Sequence, residues 1–289
     1  MAIDILKAFR ETPPALDFIW PGFLAGTVGA LIAPGATGKS FWALQAAMAV
    51  ACGVSGGDLI ELQPKQTGPV TYLAGEDPAV ALINRIHSIG QHIGPDAQAA
   101  IAENMRLEVV SGAEIDVMST EGLSRILTSA TDARLIVLDT LSRIHCLDEN
   151  SNSDMARLVG RLERVAAESG ASVLYLHHVN KGSVRDGQSD QQQAARGASA
   201  LIDNARWCGY VASMTEEDAK YLRVGFDPIA AGRRAEFVRF GGSKENYTAD
   251  KPERWYCRAR GGVLLPVELT DVRKQPPIRG TKVKHDDVW

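Results

Sequence analysis

Short apolar runs alternate with amphipathic stretches along the first two thirds of the chain. Five runs rich in Val, Ile and Leu are typical of strands buried on both faces of a parallel sheet. They are residues 27–33, 70–74, 107–110, 135–138 and 173–176. Helices are predicted between them at residues 40–51, 78–93, 121–130 and 154–169. The alternation predicts a wound α/β fold, with a mostly parallel central sheet and helices on both faces.

The pattern changes after residue 200, where strand-like runs follow one another with shorter links. These runs are residues 207–213, 235–240, 255–258 and 263–267. Together they predict an antiparallel C-terminal extension of the same sheet. Residues 180–196 and 271–289 are polar and lack apolar periodicity, so we interpret both stretches as mobile.

Composition narrows the class of protein. A chain of 289 residues with 45% apolar side chains can bury the core of one large domain. No apolar run reaches the ~18 residues of a membrane span, and the charged residues that follow Met1 argue against a secretory signal, so a cytoplasmic protein is predicted. The four cysteines are far apart and form no CxxC pair, which favours reduced thiols over a zinc site or a disulfide framework. A net charge of -4 argues against a surface that attracts duplex DNA as a whole, but a local basic channel stays possible.

Residues 33–40 fit a phosphate-binding loop. The motif GxxxxGK[ST] is complete except at its first position, where Ala33 stands for glycine. A predicted strand precedes the loop and a predicted helix follows it, so backbone N–H groups and the positive end of the helix can surround phosphates. Lys39 would pair with the β and γ phosphates, and the Ser40 hydroxyl would bind Mg²⁺. We predict an ATP and Mg²⁺ site formed by Ala33, Pro34, Gly35, Ala36, Thr37, Gly38, Lys39 and Ser40.

Two carboxylates follow other predicted strands. Asp139 ends the run 134–139 in the form of a Walker B element and would hold the metal directly or through water. Glu76 follows the strand 70–74 at the edge where ligands bind in open α/β sheets, and we assign it as the base that orients the attacking water. The alternative for each is helix capping: Asp139 would cap the next segment, and Glu76 the helix that begins at Pro78. For Asp77 we prefer capping.

His177 and His178 come at the end of the fifth predicted strand. Side chains alternate along a strand, so one of the two faces the nucleotide, and a metal-binding pair is disfavoured. We select His178 as the residue that contacts the γ-phosphate position and reports its loss to the following loop. The alternative is a polar side chain that caps the strand.

The order of these features resembles the RecA-like and DnaB-like ATPases. Within that class, several strings resemble the RepA replicative helicases of broad-host-range plasmids, over nearly the whole chain to about residue 267. The strings are GTVGAL at 26–31, GPVTYLAGEDP at 68–78, VLDTL at 137–141, LHH at 176–178, DQQQAARG at 190–197, DNARW at 203–207 and GSKENY at 242–247. The glutamine-rich string and DNARW are the most specific of them.

The resemblance implies a homohexameric ring that hydrolyses ATP at its subunit interfaces and moves 5' to 3' on single-stranded DNA during plasmid replication. Plasmid primase and initiator proteins are possible partners. Carried over by position, Lys39, Ser40, Glu76, Asp139 and His178 match the nucleotide site of the family. Arg206 matches its arginine finger, a cation that stabilises the charge developing on the γ-phosphoryl group. The residues alone would favour an Arg206 that stacks or snorkels beside Trp207.

Further cations are assigned by the same resemblance. Arg85 matches a basic residue near the phosphates, with an exposed helix charge as the alternative, and Lys244 is a candidate to reach the nucleotide of a neighbour. In a ring the loop 180–196 would project into the channel and hold a DNA backbone without reading its sequence. Its candidate DNA-binding residues are Lys181, Arg185, Gln192 and Arg196, and its composition alone would favour an ordinary solvated loop.

The predicted organisation has three parts: an N-terminal arm at 1–21, a RecA-like ATPase domain at 22–270 and a disordered basic tail at 271–289. Two rival functions share the loop. A DNA-dependent ATPase of recombinase or regulatory type would use the same site residues without unwinding DNA. A small-molecule phosphotransferase is disfavoured, because the sequence shows no lid-like arginine cluster and no signature of an acceptor pocket.

Overall fold

The computed structural model describes residues 2–110, 115–179, 199–245, 247 and 253–274. The helices are α1 (Ile5–Arg10), α2 (Lys39–Ala51), α3 (Ala79–Gly90), α4 (Pro95–Asn104), α5 (Thr120–Ser129), α6 (Asn152–Ser169), α7 (Ser199–Asn204) and α8 (Glu216–Tyr221). The strands are β1 (Phe18–Trp20), β2 (Phe23–Leu24), β3 (Val28–Ala33), β4 (Val70–Ala74), β5 (Met105–Val109), β6 (Leu135–Asp139), β7 (Ser172–His178), β8 (Trp207–Ser213), β9 (Leu222–Val224), β10 (Asp227–Pro228), β11 (Phe237–Glu245), β12 (Glu253–Arg258), β13 (Leu264–Pro266) and β14 (Leu269–Asp271).

A nine-stranded sheet organises the part of the chain that the structure describes, with the order β13-β12-β11-β8-β3-β7-β6-β4-β5. Strands β8, β3, β7, β6, β4 and β5 are parallel, and β11, β12 and β13 continue the sheet antiparallel. This architecture confirms the predicted fold class, including the antiparallel C-terminal extension.

Two details of the prediction were wrong. Residues 207–213 were expected to belong to the antiparallel extension. Instead β8 pairs in parallel with β3 on one side and antiparallel with β11 on the other. The long segment between β7 and β8 makes a crossover possible, and a crossover returns a strand in the parallel direction. The helix predicted at 78–93 ends at Gly90, and α4, which was not predicted, follows it with Pro95 in its first turn.

Helices cover both faces of the sheet because its central strands are buried on both sides. On one face α2, α3 and α4 pack with apolar side chains such as Trp42, Ile89 and Ile101. On the other face α5, α6 and α7 contribute a second cluster of buried side chains. Strand β3 divides between the two, with Leu31 in the first cluster and Ile32 in the second. The sheet is therefore a rigid support for the side chains at the ends of its strands.

An aromatic cluster joins the N-terminal arm to this core. Trp20 lies edge-on to Trp207 at 5.3 Å and to Trp42 at 6.0 Å between ring centroids. Phe23 stacks on Trp207, and a Cβ at Gly29 would lie 2.9 Å from the Phe23 ring, so glycine lets the aromatic rings approach β3 closely. Helix α1, by contrast, has no buried residue.

Arg134 fixes the other side of the arm. Its guanidinium donates two hydrogen bonds to the Asp17 carboxylate, at 2.9 and 2.7 Å, and further ones to the carbonyls of Phe18 and Gln66. The hydrogen bond from Arg134 lowers the pKa of Asp17 below its usual value. This bidentate pair connects the residue before β1 to the residue before β6.

A smaller sheet of β10, β9 and β14 covers the outer end of the extension with α8. Its own apolar cluster contains Met214, Leu222, Ile229 and Phe237. Across the described residues, none of the helices combines the length and the apolar character that crossing a membrane requires.

Replacing Arg134 with alanine should lower the free energy of unfolding by about 1–3 kcal/mol, because Asp17 and two carbonyls lose their donor in a partly exposed site. Urea denaturation at neutral pH measures the loss. The effect should fade as the pH falls through the lowered pKa of Asp17, since that carboxylate contributes stability only while it is ionised. Arg157→Ala is the matched control: its side chain is 64% exposed, and its removal should cost less than about 0.5 kcal/mol. Equal losses for the two variants would contradict the anchoring role of Arg134.

Candidate functional site

The predicted site residues meet at the carboxyl edge of the parallel sheet. Ala33 of β3 lies beside His178 of β7, and Ala74 of β4 lies beside Asp139 of β6. Glu76 lies two residues after the end of β4, so it is at the same edge. In open α/β sheets ligands bind at this edge.

The phosphate loop has the backbone that its motif requires. Gly38 adopts a left-handed conformation with φ 99° and is the N-cap of α2, while Ala36 is also left-handed at φ 64°. The Thr37 hydroxyl donates to the Pro34 carbonyl at 2.7 Å and closes the turn. Ala33, which replaces the first glycine, is the buried last residue of β3. A strand conformation accepts a Cβ, so the backbone at this position does not require glycine.

Lys39 is buried at the centre of the site. Only 4% of its surface is exposed, and among the described residues no atom accepts a hydrogen bond from its ammonium. Burial lowers the pKa of Lys39 to about 8, although the charges of Asp139 and Glu76 oppose the shift. A buried ammonium without an acceptor is unfavourable, and phosphate oxygens would supply what it lacks. The residues present therefore fit a nucleotide.

Asp139 lies beside the hydroxyl of Ser40. Ser40 Oγ donates to one carboxylate oxygen at 3.2 Å, and the Tyr72 hydroxyl donates to the other at 2.6 Å. Burial raises the pKa of Asp139, against the effect of both hydrogen bonds and of Lys39. A divalent cation would reverse this shift, and Ser40 and Asp139 offer the hard oxygen ligands that Mg²⁺ prefers. The hydrogen bond from Tyr72 orients the carboxylate.

Glu76 is held by two partners. Thr140 Oγ1 donates to Glu76 Oε1 at 2.9 Å, and His178 Nε2 lies 3.3 Å from the same oxygen. Burial alone would raise the pKa of Glu76, but the hydrogen bond from Thr140 and the charges of His178 and Lys39 lower it overall. The carboxylate is thus ionised at neutral pH and can accept a proton from water.

The two adjacent histidines have different surroundings. His178 is exposed and faces Glu76, whereas His177 is buried with 7% of its surface exposed. Burial lowers the pKa of His177 to about 4, and the nearby charge of Lys39 acts in the same direction, so this imidazole is neutral. The structure brings His178, and not His177, against the catalytic candidate Glu76.

Asp77 and Arg85 form an ion pair. The preferred reading of Asp77 as a helix cap was wrong: α3 begins after Pro78 without a side-chain cap. Asp77 instead accepts two hydrogen bonds from Arg85, at 2.5 and 3.0 Å. The guanidinium of Arg85 also lies over the Phe41 ring, 5.3 Å from its centroid. Arg85 is therefore close to the start of α2, and its contact with a phosphate stays a prediction.

Arg206 and Lys244 lie at the opposite edge of the sheet. The Arg206 amide donates to the carbonyl of Val28, and Val28 is five residues before the end of β3. That separation corresponds to about 17 Å along an extended strand. Lys244 pairs with Cys208 near the start of β8, and its ammonium donates to the carbonyl of Asp203 at 2.6 Å. Neither cation reaches the phosphate loop of its own chain.

The predicted DNA-binding residues Lys181, Arg185, Gln192 and Arg196 lie outside the described residues. So does the tail beyond residue 274.

Sequence reasoning missed three side chains that shape the site. Tyr72 and Thr140 orient the two carboxylates, and Arg258, from β12, donates to the Thr37 carbonyl of the phosphate loop at 2.6 Å. Tyr72 lies in the middle of the predicted strand 70–74, where side-chain alternation was a usable signal. Thr140 directly follows Asp139 at the end of β6, and that position was a second usable signal. Arg258 carries no local signal, because its partner is more than two hundred residues away.

Comparison with known proteins identifies the same fold. Residues 3–184 match the family model AAA_25, which describes an AAA domain. A solved structure of an ATPase domain aligns with a TM-score of 0.54 at 12% identity, over 84% of this chain and 85% of that one. "The Structure Of A DnaB-Like Replicative Helicase And Its Interactions With Primase" aligns with a TM-score of 0.54 at 11% identity, over 84% of this chain and 58% of that one. At these identities the similarity shows the fold alone, which is a RecA-like ATPase fold.

Without nucleotide, Lys39→Met should raise the free energy of unfolding at pH 7 by about 1–3 kcal/mol, because it removes a buried, unpaired cation. The pKa of Lys39 in the folded chain is about 8 against an ordinary 10.5, so between these values the unfolded chain binds more protons than the folded one. The wild type should therefore gain stability relative to Lys39→Met as the pH rises through this window. Denaturant titrations from pH 7 to 10 measure the difference.

The exposed Lys65 provides the control for this experiment. Lys65→Met should differ from the wild type by an amount that does not change with pH. Parallel stability curves for the wild type and Lys39→Met would contradict the assignment of Lys39 as a destabilising buried cation.

Proposed function

The chain belongs to the AAA domain family AAA_25, and on that premise we propose that it is an ATP hydrolase that works as a DNA helicase. Family membership supports the use of ATP, with Mg²⁺ as the usual companion ion. The proposed finer function is that of a homohexameric plasmid replication helicase, which moves 5' to 3' on single-stranded DNA as the RepA-like proteins it resembles do. The fold of the DnaB-like ATPase domains is consistent with this proposal.

The observation that supports the proposal is that the predicted site residues lie at two opposite edges of the sheet. Lys39, Glu76 and Asp139 meet at the carboxyl edge, whereas Arg206 lies beside Val28 at the other end of β3. A chain that acts alone cannot bring Arg206 to its own loop. A second copy in a head-to-tail ring can present its Arg206 edge to that loop.

Each residue of the shared site then has a role in phosphoryl transfer. Lys39 neutralises the β and γ phosphate oxygens, and Ser40 and Asp139 would hold Mg²⁺, which supplies further positive charge at those oxygens. Glu76, oriented by Thr140, accepts a proton from the water that attacks the γ-phosphorus. Arg206 of a neighbouring copy stabilises the charge that develops on the transferred group. Turnover thus depends on assembly.

Coupling to DNA would run through His178. This side chain contacts Glu76 and ends the strand that leads into residues 180–198, where Lys181, Arg185, Gln192 and Arg196 would hold the DNA backbone. Hydrolysis removes the γ-phosphate near His178, and movement of that strand end would move the loop. A His178→Ala protein whose ATPase is still fully stimulated by single-stranded DNA would contradict this coupling.

The remaining parts of the chain have proposed roles within the ring. We assign residues 22–270 to the ATPase domain, residues 1–21 to an arm and residues 271–289 to a basic tail. Lys244 lies at the same edge as Arg206 and would approach the nucleotide of the neighbour with it. Primase and initiator proteins are the expected partners of such a helicase at a plasmid origin.

The rival function is a DNA-dependent ATPase of recombinase or regulatory type, which assembles on DNA without unwinding it. A forked duplex with a 5' single-stranded tail separates the two functions. ATP-dependent displacement of the annealed strand supports the helicase, and stimulated hydrolysis without displacement supports the rival. Lys39→Ala is the control for nucleotide dependence.

Arg206→Ala and Lys39→Ala should each lose most ATPase activity, by about 10³-fold where the finger is missing. Mixing the two inactive proteins should restore activity, because an intact loop in one copy meets an intact Arg206 in the next. Random mixing completes roughly a quarter of the interfaces of a head-to-tail ring. Steady-state hydrolysis across protein concentration, with and without single-stranded DNA, measures the recovery.

A mixture of Lys39→Ala with Glu76→Gln is the matched control, because both substitutions damage the same half of the interface. No interface in that mixture is complete, so no activity should return. Hydrolysis per subunit that is independent of concentration, together with no recovery in the first mixture, would establish a self-contained site and overturn the ring.

A further inference from the structure

We propose that Arg258 is a positioning residue of the phosphate loop, so that the antiparallel extension is part of the nucleotide site. The family match ends at residue 184, well before β12, which carries Arg258. The inference rests on the proposed function in one respect only, namely that the loop binds nucleotide.

Arg258 joins two carbonyls that belong to different parts of the chain. Its Nη2 donates to the Thr37 carbonyl at 2.6 Å, and its Nε donates to the Ala235 carbonyl at 3.2 Å. The guanidinium lies against the loop itself: a Cβ built on Gly38 would be 3.0 Å from Nη1. Gly38 is both left-handed, at φ 99°, and covered by this cation. The loop therefore adopts its conformation with Arg258 packed on it.

The register of the sheet explains why a residue so distant in sequence reaches the loop. Strand β11 begins at Phe237, at the end where β8 finishes, and Phe237 pairs with Cys257. Arg258 follows Cys257, so β12 delivers it to the carboxyl edge of the parallel strands. Helix α2 is tied to the same extension further along, because Gln45 exchanges two hydrogen bonds with the backbone of Leu264, at 2.8 and 2.9 Å.

The contact between Arg258 and Thr37 affects the part of the loop that would bind phosphates. Such a loop binds phosphates through backbone N–H groups that point inward. The Thr37 carbonyl is engaged by a cationic donor, and hydrogen bonds of this kind are stronger than neutral ones. Arg258 thus holds one peptide group of the loop in a fixed orientation before nucleotide arrives, which reduces the ordering that binding requires. A planar guanidinium can serve both carbonyls at once, whereas a lysine ammonium on a flexible stem cannot hold the same geometry.

The test compares Arg258→Ala, Arg258→Lys and the control Arg260→Ala, which removes the same charge from an exposed position two residues later. Calorimetry with ADP and Mg²⁺ should give a dissociation constant about ten-fold higher for Arg258→Ala, and a smaller increase for Arg258→Lys. Arg260→Ala should bind like the wild type. In hydrolysis assays of Arg258→Lys the KM for ATP should rise while kcat changes little, because the contact is the same in the ground state and the transition state.

Two results would overturn the inference. One is an ADP affinity for Arg258→Ala equal to that of Arg260→Ala. The other is Arg258→Lys with wild-type affinity when Arg258→Ala is unfolded, since Arg258 would then only stabilise the fold. ADP binding needs neither hydrolysis, nor DNA, nor a ring, so failure of the helicase proposal would leave this result standing. A wild type that binds no ADP would overturn the nucleotide site and the inference together.

Discussion

The buried ammonium of Lys39 is the constraint around which the site is organised. It has no hydrogen-bond acceptor among the described residues, and only the charges of Asp139 and Glu76 offset its burial. Such a group persists because the surrounding structure is stable enough to hold it, and here that structure is a sheet covered by helices on both faces. The phosphate loop is consequently preorganised for an anion, at the expense of the stability of the nucleotide-free chain.

The same sheet explains why Arg206 lies far from the phosphate loop of its own chain. Parallel strands bring all their carboxyl ends to one edge, which collects Glu76, Asp139 and His178. The amino ends of parallel strands lie at the other edge of the sheet. Arg206 comes immediately before β8, so it lies at that edge. Because β8 is parallel to β3, and not antiparallel as the sequence pattern indicated, Arg206 is far from its own loop. The direction of this one strand is therefore the basis of the proposal that a second copy completes the site.

The features that could be predicted from sequence are those with local causes. The phosphate loop has a motif, and Asp139 and Glu76 follow apolar runs whose parallel pairing brings them together. The features that could not be predicted depend on partners distant in sequence or on competition between them. The position of Asp77 just before α3 favoured a helix cap. In the structure Asp77 pairs with Arg85 instead, and α3 has no side-chain cap. The sequence shows that a long segment precedes β8, and such a segment permits a parallel strand. The apolar run itself, however, carries no information about strand direction.

The C-terminal extension lies outside the matched family region, yet it contacts the phosphate loop and the helix that follows it. The contacts are at three levels: Arg258 bonds to the loop at Thr37, Phe240 stacks on Trp42 of α2 at 4.3 Å between ring centroids, and Leu264 is bonded to Gln45 of α2. Helix α2 cannot shift along its axis without disturbing all three contacts, because interiors packed in this way resist small displacements. The extension also carries Lys244, at the edge proposed to face a neighbouring copy. One rigid group of strands therefore connects the loop of a subunit with the surface through which it would meet the next.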